Sequence, residues 1–298
     1  RELAAQVFDN VQMYGKYLPF KSAKIFGGVN INPQIKQLRS GVDILIATPG
    51  RLLDLIQQGV VDLSKIKVLV LDEADRMLDM GFIPDVEKIC KVMIQHHQTL
   101  FFSATMPPPI KKLADQFLDD PKLIEVARPA SAASTITQSL INTAPRQKRE
   151  VLRSLLQAKD VNNAIVFCNR KVEVKKIAKS LERHDFNSDQ LHGDMPQSER
   201  MAVLAAFKEG KIKTLCASDV AARGLDIPNV SHVFNFDVPI HAEDYIHRIG
   251  RTGRAGKLGW SVTIATKKDQ KYVDAIQEDI RWLAAIPEQK RLLEKTIT

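Results

Sequence analysis

The sequence predicts a parallel α/β protein built as two similar halves, and three observations predict it. Short apolar runs alternate with helical stretches along the chain, which is the rhythm of parallel strands joined by crossover helices. A stretch from 128 to 137, rich in Ala, Ser and Thr and without a large apolar period, divides two such series. Clusters of acids, hydroxyls, glycines and arginines fall just after predicted strands, the edge at which open α/β sheets build their sites.

The first domain is expected over 1–127, with strands at Ala23–Phe26, Ile44–Ala47, Val68–Leu71, Leu100–Phe102 and Leu123–Val126. The linker follows over 128–137. The second domain is expected over 138–285, with strands at Ser139–Asn142, Ala164–Cys168, Ser188–Leu191, Thr214–Ala217, His232–Phe236 and Ser261–Ala265. Helical stretches separate them, including Lys171–Arg183 and Pro196–Lys208. Residues 267–298 read as helical and charged, interrupted by Pro287, with 286–298 as a tail.

The third run carries the most information. Val68-Leu69-Val70-Leu71 reads as a fully buried strand, and it breaks into Asp72-Glu73-Ala74-Asp75. Three carboxylates cannot share that burial unless something offsets their charge. Asp72 or Asp75 could cap the helix that follows, but three acids exceed what capping requires. A carboxylate at such a strand end can hold magnesium on a nucleotide, the Walker B arrangement.

The other clusters leave alternatives open when each is taken alone. Thr48-Pro49-Gly50-Arg51 can be a helix start, or a phosphate-binding corner made by a helix N-terminus and an arginine. The hydroxyls of Ser103-Ala104-Thr105 can cap the next helix, the simpler reading, or bond the acids of the neighbouring strand end. Gly27-Gly28 permits close backbone approach or merely a turn. In the second half Ser218-Asp219 opens a cluster at a strand end, and His247-Arg248-Ile249-Gly250-Arg251-Thr252-Gly253-Arg254 follows. Glycines between those arginines argue against a plain surface helix, and fixed guanidiniums suit a phosphoryl transition state.

Composition bounds the class. The chain has 298 residues, 44% of them hydrophobic, and a formal net charge of +8. That basicity fits a polyanion-binding surface as well as an ordinary protein surface. Cys90, Cys168 and Cys216 lie far apart without zinc-ligand spacing and read as buried thiols in a reducing compartment. No apolar run approaches the roughly 20 residues of a membrane span, and no signal peptide is evident, so a cytoplasmic protein is expected; a monomer is expected as well. Arg1-Glu2-Leu3-Ala4-Ala5 lacks an initiator Met and enters a helical pattern directly, so the chain reads as an N-terminally truncated fragment.

Taken together, D-E-A-D at 72–75, S-A-T at 103–105, T-P-G-R at 48–51, A-R-G-L-D at 222–226 and H-R-I-G-R-T-G-R at 247–254 resemble a DEAD-box RNA helicase in order and spacing. Arg1-Glu2-Leu3-Ala4, Gly27-Gly28 and Gln197-Ser198-Glu199-Arg200 resemble further elements of that family, and Arg76–Phe82 resembles its bacterial branch. The resemblance implies two RecA-like domains in tandem, the first incomplete, closing over ATP and Mg2+ with an RNA strand across both. Asp72 would hold the metal through water and Glu73 would activate the attacking water. Arg251 and Arg254 would be arginine fingers, and Asp226 would contact the nucleotide sugar. Asp75, Ser103, Thr105 and His247 would couple the domains. RNA contacts would come from Arg1, Gly28, Thr48, Arg51, Arg200 and Ser218, with His192-Gly193-Asp194 shaping the same surface.

Two departures stand out. Ser218 replaces the family's usual Thr, which keeps a hydroxyl. More seriously, a phosphate-cradling G-x-x-x-x-G-K-[ST] does not occur: Gly15-Lys16, Gly210-Lys211 and Gly256-Lys257 are not followed by Ser or Thr. The parent protein is expected to be an ATP-dependent RNA helicase and this fragment to be ATPase-deficient. The competing expectations are a DNA-acting translocase and a non-catalytic RNA-binding clamp.

Overall fold

The computed structural model describes residues 1–106, 108–125, 135–222, 227, 229–254 and 256–279. It divides into two compact units, Arg1–Val126 and Ala127–Thr298.

In the first unit α1 (Glu2–Tyr14) leads to β1 (Ser22–Ile25), α2 (Asn32–Arg39), β2 (Ile44–Ala47), α3 (Pro49–Gln57) and β3 (Val68–Leu71). After these come α4 (Ala74–Asp79), α5 (Ile83–Lys91), β4 (Gln98–Phe101) and α6 (Pro108–Phe117). The strands pair in parallel as β1 with β2 and β3 with β4, in two separate two-stranded sheets. Residues 121–125 are irregular, so the expected strand over Leu123–Val126 is not formed there, and Val126 lies outside the described residues.

β3 corrects a second expectation. Leu71 is buried and Leu69 packs against a core of Leu63, Ile89 and Met93, but Val68 and Val70 are 49% and 51% exposed. A strand alternates its side chains across two faces, and β3 has only one of them covered.

In the second unit β5 (Ile136–Asn142) begins inside the segment read as linker; residues 128–134 of that segment lie outside the described residues. It is followed by α7 (Lys148–Leu156), β6 (Ala164–Cys168), α8 (Lys171–Glu182), β7 (Ser188–Leu191), α9 (Gln197–Lys208) and β8 (Thr214–Ser218). Then come α10 (Asp219–Ala222), β9 (His232–Asn235), α11 (Ala242–Ile249), β10 (Gly259–Ala265) and α12 (Gln270–Asp279). The tail at 286–298 lies outside the described residues.

These strands make one six-stranded parallel sheet in the order β5-β10-β9-β6-β8-β7. Ile165 and Phe167 of β6 face Val203, Leu204 and Phe207 of α9, whereas Ala164, Val166 and Cys168 face Leu152 of α7 and Val174, Ile177 and Leu181 of α8. Covering both faces is what makes a parallel strand read as a continuous apolar run. Each large side chain buried this way contributes roughly 1.5–3 kcal/mol.

All three cysteines are free thiols; Cys168 and Cys216 are buried, but Cys90 is only half-buried. Burial pushes Cys90 up to about 11 and Cys216 up to about 12, which keeps both as unreactive thiols near neutral pH. Among the described residues no helix is long and apolar enough to cross a membrane.

Candidate functional site

The acid cluster sits where β3 ends, and each acid is held differently. Asp72 is exposed; its Oδ1 accepts the Glu73 backbone N–H at 2.9 Å, and Oδ2 has no protein partner among the described residues. Glu73 adopts the left-handed region, φ 51° and ψ 50°, at the start of α4. A non-glycine residue there stores strain, and such residues cluster at functional sites. The Glu73 carboxylate is paired with the Arg76 guanidinium one turn on.

Asp75 is only 8% exposed and turns toward the end of β4. Its Oδ2 accepts the Thr105 hydroxyl at 3.1 Å and the Thr105 N–H at 3.3 Å. Ser103 Oγ accepts the Asp75 N–H at 3.3 Å and donates to the Thr105 carbonyl at 2.7 Å. The Thr105 hydroxyl therefore bonds the carboxylate of the neighbouring strand end, while the Ser103 hydroxyl takes the Asp75 backbone N–H in the first turn of α4. The N-cap residue of α4, Glu73, makes no side-chain cap, although Asp75 Oδ1 accepts the Arg76 N–H of the first turn at 3.0 Å. A buried carboxylate needs such partners, and the β3–β4 register supplies them by setting Leu71 beside Phe101.

A metal at this strand end would rest on Asp72. Magnesium commonly takes one or two carboxylates and keeps several waters, so an exposed Asp72 with one open oxygen fits that role. Among the described residues no cluster of three metal-ligating side chains competes with it.

At the end of the β1–β2 pair the structure gathers Arg1, Gly28, Thr48 and Arg51. Gly28 has φ +84°, and a Cβ there would stand 2.6 Å from Arg1 Nη1, so the guanidinium lies against bare backbone. Arg51 Nη2 donates to the Val29 carbonyl at 3.3 Å and Nε lies 3.8 Å from Asp54 Oδ2, while its buried Nη1 has no partner among the described residues. Thr48 occupies the N-cap position of α3, with Pro49 behind it, yet its hydroxyl makes no cap. An uncapped helix start beside an arginine nitrogen without a partner among the described residues is a geometry able to accept an anion.

In the second unit Arg200 and Ser218 are buried, 7% and 8% exposed. The expectation for both is a direct RNA contact, and the Arg200 side chain also has a partner within its own unit. Its Nη1 donates to the His192 carbonyl at 3.0 Å, holding the 192–194 turn from beneath. What that turn presents outward is Asp194, which binds Lys171 at 2.7 Å and Lys175 at 3.3 Å. Those two lysines hold the Asp194 carboxyl below the ordinary range. His192 is buried with both ring nitrogens unpartnered among the described residues, and burial pulls it below the usual 6.5.

α11 ends at Ile249, so His247 and Arg248 are helical whereas Arg251 and Arg254 lie beyond the Gly250 C-cap. His247 is half-buried. Gly253 has φ +69°, and a Cβ there would come within 2.5 Å of Ile136 Cγ1. The glycines between the arginines thus serve the turn that releases them from the helix. Arg251 is 9% exposed; Arg254 is exposed, with its N–H donating to Asn229 Oδ1 at 2.9 Å and its Nε to the Gly250 carbonyl. Asp226 lies outside the described residues.

On sequence alone Arg76 and Asp219 carry no assigned role, whereas Arg248 belongs to the run of guanidiniums read as suited to a phosphoryl transition state. Arg76 was signalled by its i,i+3 spacing from Glu73. Arg248 and Asp219 stood inside noted clusters, but nothing in their spacing said that they pair.

These strand-end acids, hydroxyls and arginines on parallel α/β units define the helicase class of nucleotide-dependent proteins, and the comparisons agree. The DEAD/DEAH box helicase family matches residues 1–113, and the helicase conserved C-terminal domain matches residues 147–256. The chain belongs to the DEAD-box family. It is 44% identical over 278 residues to the DEAD-box ATP-dependent RNA helicase CshA of Bacillus subtilis, covering 93% of this chain and 56% of that protein. It therefore spans little more than half the length of that relative. Among solved structures it resembles S. cerevisiae Dbp5 bound to RNA and ADP BeF3, with TM-score 0.81 and 30% identity over 93% of this chain and 72% of Dbp5. A DEAD box protein from Methanococcus jannaschii is 40% identical, with TM-score 0.51 over 94% of this chain and 76% of that one. RecA-like units in tandem are thus the fold of this chain.

Proposed function

We propose that this chain forms part of an ATP-dependent RNA helicase that unwinds or remodels RNA duplexes by ATP-driven closure of its two units on RNA. The observation that carries the reading is the division of labour among the acids. Asp75 is locked to Ser103 and Thr105 and Glu73 is half-buried against Arg76, whereas Asp72 stays exposed with one carboxylate oxygen open among the described residues. A purely structural cluster would bury or pair all of them.

In this reading Asp72 would hold Mg2+, and the ion would neutralise charge on the phosphates of ATP. Glu73 orients and deprotonates the attacking water, with Arg76 fixing its carboxylate. Arg251 and Arg254 meet the charge that develops on the phosphoryl oxygens, and Asp226 meets the nucleotide sugar. Asp75, Ser103, Thr105 and His247 transmit closure. Arg1, Gly28, Thr48 and Arg51 bind RNA phosphates, with Ser218 and the turn held by Arg200 contributing from the second unit. Backbone contacts give low base specificity and strong salt dependence. The protein acts as a cytoplasmic monomer.

The sequence without G-x-x-x-x-G-K-[ST] favours one qualification: these 298 residues alone bind RNA and do not hydrolyse ATP. The test compares the chain with a version extended upstream to include such a loop. RNA-stimulated hydrolysis is expected only in the extended version. Turnover by the 298 residues alone overturns the qualification. No turnover by the extended protein, with RNA bound, leaves the clamp reading in its place; equal affinity for matching single-stranded DNA favours the DNA-acting reading.

A further inference from the structure

Arg248 is the first arginine of the 247–254 run and the most deeply buried, 1% exposed. Its surroundings differ in kind from those of Arg254. Nε donates to Asp219 Oδ1 and Nη2 to Asp219 Oδ2, both at 2.6 Å. Nη2 also donates to Asn169 Oδ1 at 2.7 Å, while Nη1 donates to the Asp237 carbonyl at 2.6 Å and Asn235 Oδ1 at 3.4 Å. A guanidinium has five N–H donors, and all five are taken. The group also stacks on Phe167, its carbon 5.3 Å from the ring centroid. No donor remains for a phosphate.

The acceptors matter for where they stand. Asn169 follows β6, Asp219 follows Ser218 at the end of β8, and Asn235 and Asp237 flank the end of β9. One side chain from the last turn of α11 thus ties three neighbouring strand ends together. Arg251 and Arg254 leave the same helix end within six residues of it. Ser218 adjoins its carboxylate partner.

We propose that Arg248, through its bidentate pair with Asp219, is a positioning residue that fixes the phosphate-facing arginines Arg251 and Arg254 relative to the RNA-facing strand end at Ser218. This inference rests on the functional reading above. RNA bound at this strand end and nucleotide charge met by the arginines then share one rigid support, and disturbing it loosens both. A buried ion pair is not needed for stability as such, since apolar residues of similar volume often replace one without loss. That separates positioning from folding.

The test uses the upstream-extended protein and the double variant Asp219→Leu/Arg248→Met, beside Arg248→Lys, which keeps the charge but cannot fork to three strand ends. Thermal unfolding, kcat for ATP and the RNA concentration giving half-maximal stimulation are measured for each. The double variant is expected to melt close to wild type while kcat falls at least about tenfold and the half-maximal RNA concentration rises at least about tenfold. Arg248→Lys is expected to shift both parameters the same way with a smaller loss. Wild-type kinetics in a folded double variant overturn the proposal. Should the double variant not fold, Arg248→Lys decides, and turnover within about twofold of wild type overturns it. A wild type without RNA-stimulated turnover overturns the functional reading and this inference with it, whereas a stimulated wild type with unaffected variants overturns this inference alone.

Discussion

Strands β3 and β6 are written in the same alphabet and end in chemically active clusters, yet they live in different surroundings. Every residue of β6 is buried, because β8 and β9 flank it and helices cover both faces of the sheet. β3 has β4 on one side and a core on one face, so Val68 and Val70 meet solvent. An apolar run therefore specifies a strand, but burial belongs to the sheet around it. The consequence reaches function. The second unit holds its arginines on a six-stranded sheet, whereas the acids of the first stand on a two-stranded piece and rely on local locks, Asp75 to Thr105 and Glu73 to Arg76.

The sharpest way to break this contrast is through the cores. Leu215→Ala in the second unit, at a fully buried site, is expected to cost about 2–5 kcal/mol in urea-induced unfolding. A loss below about 1 kcal/mol would show a looser sheet than the packing implies. Gly253→Ala comes next: its positive φ and the contact with Ile136 predict a loss of about 1–3 kcal/mol, with Arg251 and Arg254 displaced. Unchanged stability with full turnover would remove the turn from the account.

Acid titration of the second unit is expected to show a smaller effect. Burial holds His192 and His232 below 6.5, partly offset at His232 by Asp160. Near pH 7 both states are largely neutral there. As pH falls below 6.5 the unfolded chain takes up protons first, so stability declines until the lowered folded values are passed. Chemical unfolding of the second unit between pH 7.5 and 5.5 should show that decline, and His192→Gln with His232→Gln should flatten it; an unchanged slope would contradict the assignment.

The smallest effect belongs to β3. Val70→Thr should change stability by no more than about 0.5 kcal/mol, and amide exchange along β3 should be faster than along β6. A cost of about 2 kcal/mol would mean that this face is covered in solution.

Much of this was legible because strands and their ends obey local rules. Val68–Leu71, Ile44–Ala47 and Ala164–Cys168 lie where the apolar runs place them. The 123–126 run failed for a different reason: a strand needs a partner, and residues 121–125 have none among the described residues. Motif chemistry was legible as residue type at a strand end, but partners were not. That Thr105 would serve Asp75 depends on two strands pairing across 30 residues, and that Arg248 would serve Asp219 depends on a helix laid over the sheet. Arg200 could not be read as inward-facing, because only its packing under His192 decides that.

The central claim is that Glu73 acts on water while Asp75 serves architecture. Glu73→Gln in the upstream-extended protein tests it most directly, with ATP turnover and the binding of ATP and RNA measured together. Turnover should fall at least about a hundredfold, as removal of a general base does, with both affinities within about threefold of wild type. Turnover near wild type, or lost binding accompanied by a drop in thermal stability, would contradict the account and make Glu73 a structural acid.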